Sequence, residues 1–137
     1  MAKKVLNLDR LNSKLAKMPK VAKDEIRKAL DKGGDEIVAS AKALVQDKTG
    51  TLASTIEKQD GRHELEVQVV AGGPATTKPV RAGADAEYDY AWANEMGTRE
   101  MAKQPFLRPA YRLVAKKVNG RVRRAVNKAA KAQAGGQ

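Results

Sequence analysis

The sequence predicts an α+β fold: a long N-terminal helix and a basic C-terminal helix packed on a small, mostly antiparallel β-sheet, with an extended loop or β-arm. Three features carry this prediction. Residues 20–46 and 110–129 hold apolar side chains at helical spacing, Glu64–Val70 alternates polar with apolar residues, and Ala71–Asp85 is rich in Gly, Pro, Ala and Thr. The 137 residues suffice for one domain, expected over residues 1–132, with 71–85 as a mobile loop or arm and 133–137 as a disordered tail.

The elements follow in order. Leu8, Leu11, Leu15 and Met18 recur at three and four, the spacing of a short helix, and Asp9 near its start suits the helix dipole. Pro19 punctuates the chain and fits the first turn of the next helix. That helix, 20–46, carries Ala22, Ile26, Ala29/Leu30, Gly33, Ile37, Ser40/Ala41 and Leu44 on one face. Gly33-Gly34 costs helix stability, about 1 kcal/mol per glycine. The pair is either a kink or close helix crossing, or a tolerated surface weakness. Gly50 follows as a turn residue, and Thr51–Lys58 reads either as a turn of helix or as a strand entry. Gln59–Arg62 signals a turn, so Thr55–Lys58 and Glu64–Val70 form a candidate hairpin, one part of a sheet of three or four strands. Glu87–Tyr90 is a further strand, Ala91–Met96 a short helix closed by Gly97, and Thr98–Lys103 a polar loop. Pro105 and Pro109 bracket Phe106-Leu107 at the opening of the last helix. Its apolar stripe is Ala110, Leu113/Val114, Val118, Val122, Ala125/Val126 and Ala129.

Composition excludes several chemistries. There is no cysteine, hence no disulfide, thiolate metal site or cysteine nucleophile. His63 is the single histidine and falls in a polar turn, which disfavours histidine metal sites and Ser-His-Asp catalysis. No apolar run reaches membrane-spanning length, and the basic start lacks an apolar segment behind it, so a soluble protein made in the cytoplasm is expected. Asp85, Glu87 and Asp89 alternate, more in keeping with a hydrated acidic strand face than with a cation site, and no phosphate-cradling glycine loop is present. No catalytic residue, cofactor site or metal site is assigned.

Charge is concentrated. Of 27 basic residues nine lie between Phe106 and Gln137, where there is no acidic residue; the other 18 are offset by all 16 acidic ones. The cations Arg112, Lys116, Lys117, Arg121, Arg123, Arg124 and Lys128 cover the last helix outside its apolar stripe, as a solvated amphipathic face or as a surface for an acidic partner or nucleic acid. A membrane surface is a poor fit, because few bulky apolar residues back these charges. The five aromatics, Tyr88, Tyr90, Trp92, Phe106 and Tyr111, fall in one 24-residue window that serves as core, as assembly surface, or both.

The most specific stretch runs from Tyr90-Ala91-Trp92-Ala93-Asn94-Glu95-Met96-Gly97-Thr98 to Met101-Ala102-Lys103-Gln104-Pro105-Phe106-Leu107-Arg108-Pro109-Ala110. With Thr49-Gly50-Thr51-Leu52 and Ile56 before the first strand, it resembles the HK97 gp10-like family of tailed bacteriophages, over about residues 20–130. Lys103 between Ala102 and Gln104-Pro105, and Asn94 in place of a bulkier residue, depart from the family pattern. The residues read physically as a folding motif. Gly97 supplies an uncommon backbone angle, Thr98 bonds locally, and Phe106 anchors the last helix on the sheet. Glu95 caps that helix, pairs with Arg99 or Arg108, or stays solvated; Arg99, Glu100 and Lys103 are exposed candidates for subunit contacts.

The resemblance implies a non-enzymatic structural protein of the virion, without cofactor, forming a homo-oligomeric ring at the head–tail junction in a neck or tail-completion role. Implied partners are head-side connector, adaptor or stopper proteins on one face and tail terminator or tail tube proteins on the other. DNA passes through the ring, and non-specific contact with it is one of the three readings of the basic helix, beside an acidic neighbour and a solvated face. The competing class is a small basic DNA-binding architectural protein, although no base-reading motif is visible.

Overall fold

The computed structural model describes residues 19–46 and 49–135. The expected helix at 8–18 lies outside them. Helix α1 spans Lys20–Leu44. Pro19 stands at its N-cap in extended conformation, one residue earlier than the first-turn position expected, and its carbonyl accepts the Lys23 N–H at 3.1 Å. Gly50, at φ 78°, opens helix α2 (Thr51–Thr55). Strands β1 (Glu57–Asp60) and β2 (Val67–Val70) form one antiparallel ladder, with Glu57 opposite Val70 and Asp60 opposite Val67. A 3-10 turn, Pro74–Thr76, leads to β3 (Thr77–Pro79), which pairs with β4 (Glu87–Asp89). Helix α3 (Tyr90–Met96) follows, and helix α4 runs from Leu107 to Gly135, into the segment expected as a tail.

The two helix periods are obeyed. Gly33 of α1 meets Val118 of α4, and at the far end Ala22 and Ala129 line one groove, so the helices run antiparallel. The seam is built of small residues, with Ala29, Gly33 and Ala129 buried. A β-carbon at residue 33 would lie 2.6 Å from Val118 Cγ1, and one at residue 34 would lie 2.8 Å from Lys58 Cδ and 3.0 Å from Val67 Cγ1. The glycine pair therefore admits α4 on one side and the β1–β2 hairpin on the other, within an unbroken helix. Of the two stripe candidates in α4, Val114 turns inward and Leu113 is 70% exposed, because Val114 sits one turn from both Ala110 and Val118.

Two boundaries differ from expectation. Residues 51–55 are helical because Leu52 and Ile56 both enter the core from adjacent turns, 1% and 2% exposed. Ser54 and Thr55 hydroxyls donate back to the Thr51 and Leu52 carbonyls at 2.6 and 2.7 Å. The strand thus begins after Ile56, and the turn moves from Gln59–Arg62 to 61–66, closed by Gly61 N–H to Glu66 O at 2.9 Å.

The four strands also form two separate two-stranded sheets instead of one. After β2 the chain passes Gly72 and Gly73, at φ 93° and 131°. Their N–H groups go to side chains, Thr55 Oγ1 and Asp89 Oδ2, both at 2.9 Å, so the ladder does not continue. The core proper joins Ala41 of α1, Leu52 and Ile56, Ala91 of α3, and Phe106 and Ala110 at the start of α4.

Ion pairs fasten the hairpin to α1. Arg27 bonds Asp60 and, at 2.8 Å, the Glu64 carbonyl, while Lys23 meets Glu64 at 2.6 Å and Lys58 meets Asp35 at 2.8 Å. No helix among the described residues is long and apolar enough to cross a membrane.

Candidate assembly site

The junction of α3 with α4 is organised by two carboxylates. Asp89 ends β4 and caps α3: Oδ1 accepts the Ala91 N–H at 2.9 Å and the Thr76 hydroxyl at 2.6 Å, while Oδ2 accepts the Gly73 N–H at 2.9 Å. Thr76 is fully buried. Burial alone would raise the Asp89 pKa, but the hydrogen bonds from Thr76 and from the backbone of Ala91, Gly73 and Trp92 outweigh it and hold the carboxyl below its ordinary value. The root of the β3–β4 arm, the start of α3 and the exit of β2 are thereby joined at one side chain.

Glu95 does the corresponding work for α4. Its Oε2 accepts the N–H groups of Phe106 and Leu107 at 2.8 and 3.0 Å, and Oε1 accepts that of Arg108 at 2.9 Å. Of the readings open for Glu95, the geometry has the helix cap, with the Arg108 charge a smaller attraction. These are N–H groups that a helix start leaves without backbone partners, and the carboxylate sits at the positive end of the helix dipole. Burial opposes ionisation here too, yet the three bonds keep the Glu95 pKa below its ordinary value.

The loop between is folded tightly. Gly97 takes φ 78°, its N–H bonds Ala93 O at 2.7 Å, and a β-carbon there would approach Lys103 N to 3.0 Å. Thr98 Oγ1 accepts the Met101 N–H at 3.0 Å, and Gln104 N–H reaches back to Asn94 O at 2.6 Å. Phe106, 1% exposed, plugs the core directly beneath the cap. Pro109 lies in the first turn of α4, Leu107 is half-buried against the core, and Pro105 is exposed.

The aromatic window divides. Phe106 is core, and Tyr90 is half-buried with Lys78 Nζ 5.0 Å from its ring centre. Trp92, Tyr111 and Tyr88 lie outside, 62%, 47% and 39% exposed, with Met96 beside Trp92. An open pocket of about 400 Å³ is lined by Trp92, Met96, Leu107 and Arg108, and Leu107 continues into a second groove with Tyr111.

The basic helix also divides. Arg121 and Lys117 reach Glu36 of α1, at 2.6 and 3.6 Å. The Arg121 hydrogen bond is the main reason the Glu36 pKa falls below its ordinary value. Arg121, read as one of the candidate partner contacts, thus faces Glu36 across the helix seam. Arg112, Lys116, Arg123, Arg124 and Lys128 are exposed. Arg99, Glu100, Lys103 and His63 are exposed as well.

Two features escape the sequence reading. Asp89, grouped with Asp85 and Glu87 as one acidic face, is half-buried and capping; an Asp directly before a helical pattern is the signal that identifies it. The Arg27 cluster joins residues more than thirty positions apart and leaves no local mark.

Comparison with known proteins gives one family match, described as "Bacteriophage HK97-gp10, putative tail-component", over residues 9–92. The matched stretch takes in α1, α2 and both sheets and ends inside α3, so the Glu95 cap and α4 lie beyond it. No curated protein and no solved structure gives a match.

Proposed function

The chain belongs to the HK97-gp10-like family of bacteriophage tail components, and we propose on that footing that it closes a homo-oligomeric ring at the head–tail junction of a virion. It acts mechanically, without catalysis or cofactor. One face of the ring meets a head-side connector, adaptor or stopper, the other meets a tail terminator or tail tube, and the genome passes between. The single domain expected over 1–132 is the repeating unit. The observation that carries the reading is the double cap: Asp89 and Glu95 hold arm, α3 and α4 in fixed relation while leaving Trp92, Met96 and Tyr111 on the surface. Exposed aromatics on a rigid frame are what a protein interface uses for anchors. Within the ring the β3–β4 arm reaches a neighbour, and Arg124 and Lys128 meet the backbone of the passing DNA.

Antibody labelling of intact virions tests this. Label at the head–tail junction is expected; label on the capsid shell or distal tail overturns the placement. A second reading, a small architectural DNA-binding protein, draws on the exposed cations of α4. It requires tight duplex binding by the free chain with a steep fall in log affinity against log salt. The ring reading expects weak binding by free subunits.

A further inference from the structure

The ring reading leaves open which surfaces of adjacent copies meet, and two single-signed faces supply an answer that rests on it. On the β1–β2 hairpin, Lys58, Val67 and Val69 turn toward α1 or its grooves, as the Gly34 approach and the groove lining show. Opposite-facing residues alternate with these along each strand, so Glu57, Gln59, Glu66, Gln68 and Val70 share the outer side. Glu57 accepts from Gln59 at 2.6 Å, and Glu66 from Gln68 at 2.8 Å, an arrangement that spreads the two carboxylates along one side of the ladder. No cation belongs to that set.

The complementary face lies on α4. Arg108, Arg112, Lys116 and Arg123 follow one another along one side of the helix, a row of about 22 Å at 1.5 Å per residue. Among the described residues the ion pairs of α4 are those of Lys117 and Arg121 with Glu36, so Arg112, Lys116 and Arg123 stand without a paired carboxylate, while Arg108 lies within electrostatic reach of Glu95. Arg108 also shares a pocket with Trp92 and Met96, and Tyr111 lies between Arg108 and Arg112 in the chain, 47% exposed. A row of cations that begins beside a largely bare indole and a thioether describes a surface for protein more than for duplex phosphate, which offers such groups nothing apolar to cover them.

We propose that the Trp92–Arg112–Lys116 face of one copy docks on the outer face of the β1–β2 hairpin of the next. The contact is heterologous, pairing different surfaces, as a closed ring of identical subunits requires. Each contact alone is weak, because exposed ion pairs contribute little, and closure of the ring adds the contacts together.

The chain has no cysteine, so engineered pairs report without background. Full-length Lys116→Cys and Gln68→Cys proteins are mixed, their mass distribution is measured, and they are then oxidised. A disulfide-linked heterodimer is expected, together with at least tenfold less product when Lys128→Cys replaces Lys116→Cys. In parallel, Arg112→Glu/Lys116→Glu should weaken assembly at least tenfold, and Glu57→Lys/Glu66→Lys on the same chain should restore it. Ring-sized particles without the cross-link and without charge-swap rescue overturn this interface and leave the ring standing. Monomers under all conditions, with no cross-link, overturn the ring itself and this interface with it. Loss of duplex binding by Arg112→Glu/Lys116→Glu with assembly unchanged assigns the face to nucleic acid and overturns the proposal.

Discussion

Asp89 and Glu95 show how two half-buried acids replace backbone partners that the chain cannot otherwise supply. Glu95 has two acceptor oxygens for three N–H groups, and a glutamine keeps only one of those oxygens. Glu95→Gln should therefore lower unfolding free energy by about 1–2 kcal/mol, read by urea denaturation, with helix content near that of the parent. Both pKa values are lower in the folded chain than in the unfolded one. On acidification the unfolded chain takes up protons first, so stability from these groups is full above the ordinary carboxylate range and is lost as pH falls through the folded values. Melting temperatures followed from about pH 7 to about pH 3 should drop less steeply in Asp89→Asn/Glu95→Gln than in the parent. Equal steepness would show that these carboxylates do not carry the acid sensitivity.

At the level of elements, the seam between α1 and α4 turns on one close approach. Gly33→Ala gains about 1 kcal/mol of helix propensity. It also sets a methyl against Val118, a β-branched side chain with little rotamer freedom. The expected net result is destabilisation by about 1–2 kcal/mol, and Val118→Ala should relieve it, with a coupling above about 0.5 kcal/mol in the double-mutant cycle. Additive effects would mean that the helices shift apart freely. Both long helices could be read in advance because their stripes repeat over many turns, where one misplaced residue such as Leu113 does not disturb the period. The separation of the sheets could not, since it depends on Gly72 and Gly73 bonding to Thr55 and Asp89, 17 and 16 positions away. The candidate site was legible in part. Glu95 and Phe106 stood out, whereas the exposure of Trp92 and the diversion of Arg121 to Glu36 depend on tertiary packing that no local pattern encodes.

For the molecule as a whole, the β3–β4 arm offers a direct test of assembly. Lys78 to Ala82 are exposed around a turn closed by Val80 N–H to Ala86 O at 2.9 Å, and Val80 is 59% exposed. Trypsin should cut the free chain at Arg81, and assembled particles should resist cleavage there at least tenfold longer; identical cleavage would place the arm away from any neighbour. The interior carries a further implication for how the subunit responds to temperature. Among the described residues, its largest fully enclosed side chains are Phe106, Leu52, Ile56 and Thr76, and the remaining core is mostly methyl groups. Melting such an interior rewets little hydrocarbon, so its heat-capacity step should fall below the roughly 12–15 cal/mol/K per residue of ordinary domains. A shallow step flattens the stability curve, and the subunit then keeps nearly the same modest margin in a cold host as in a warm one.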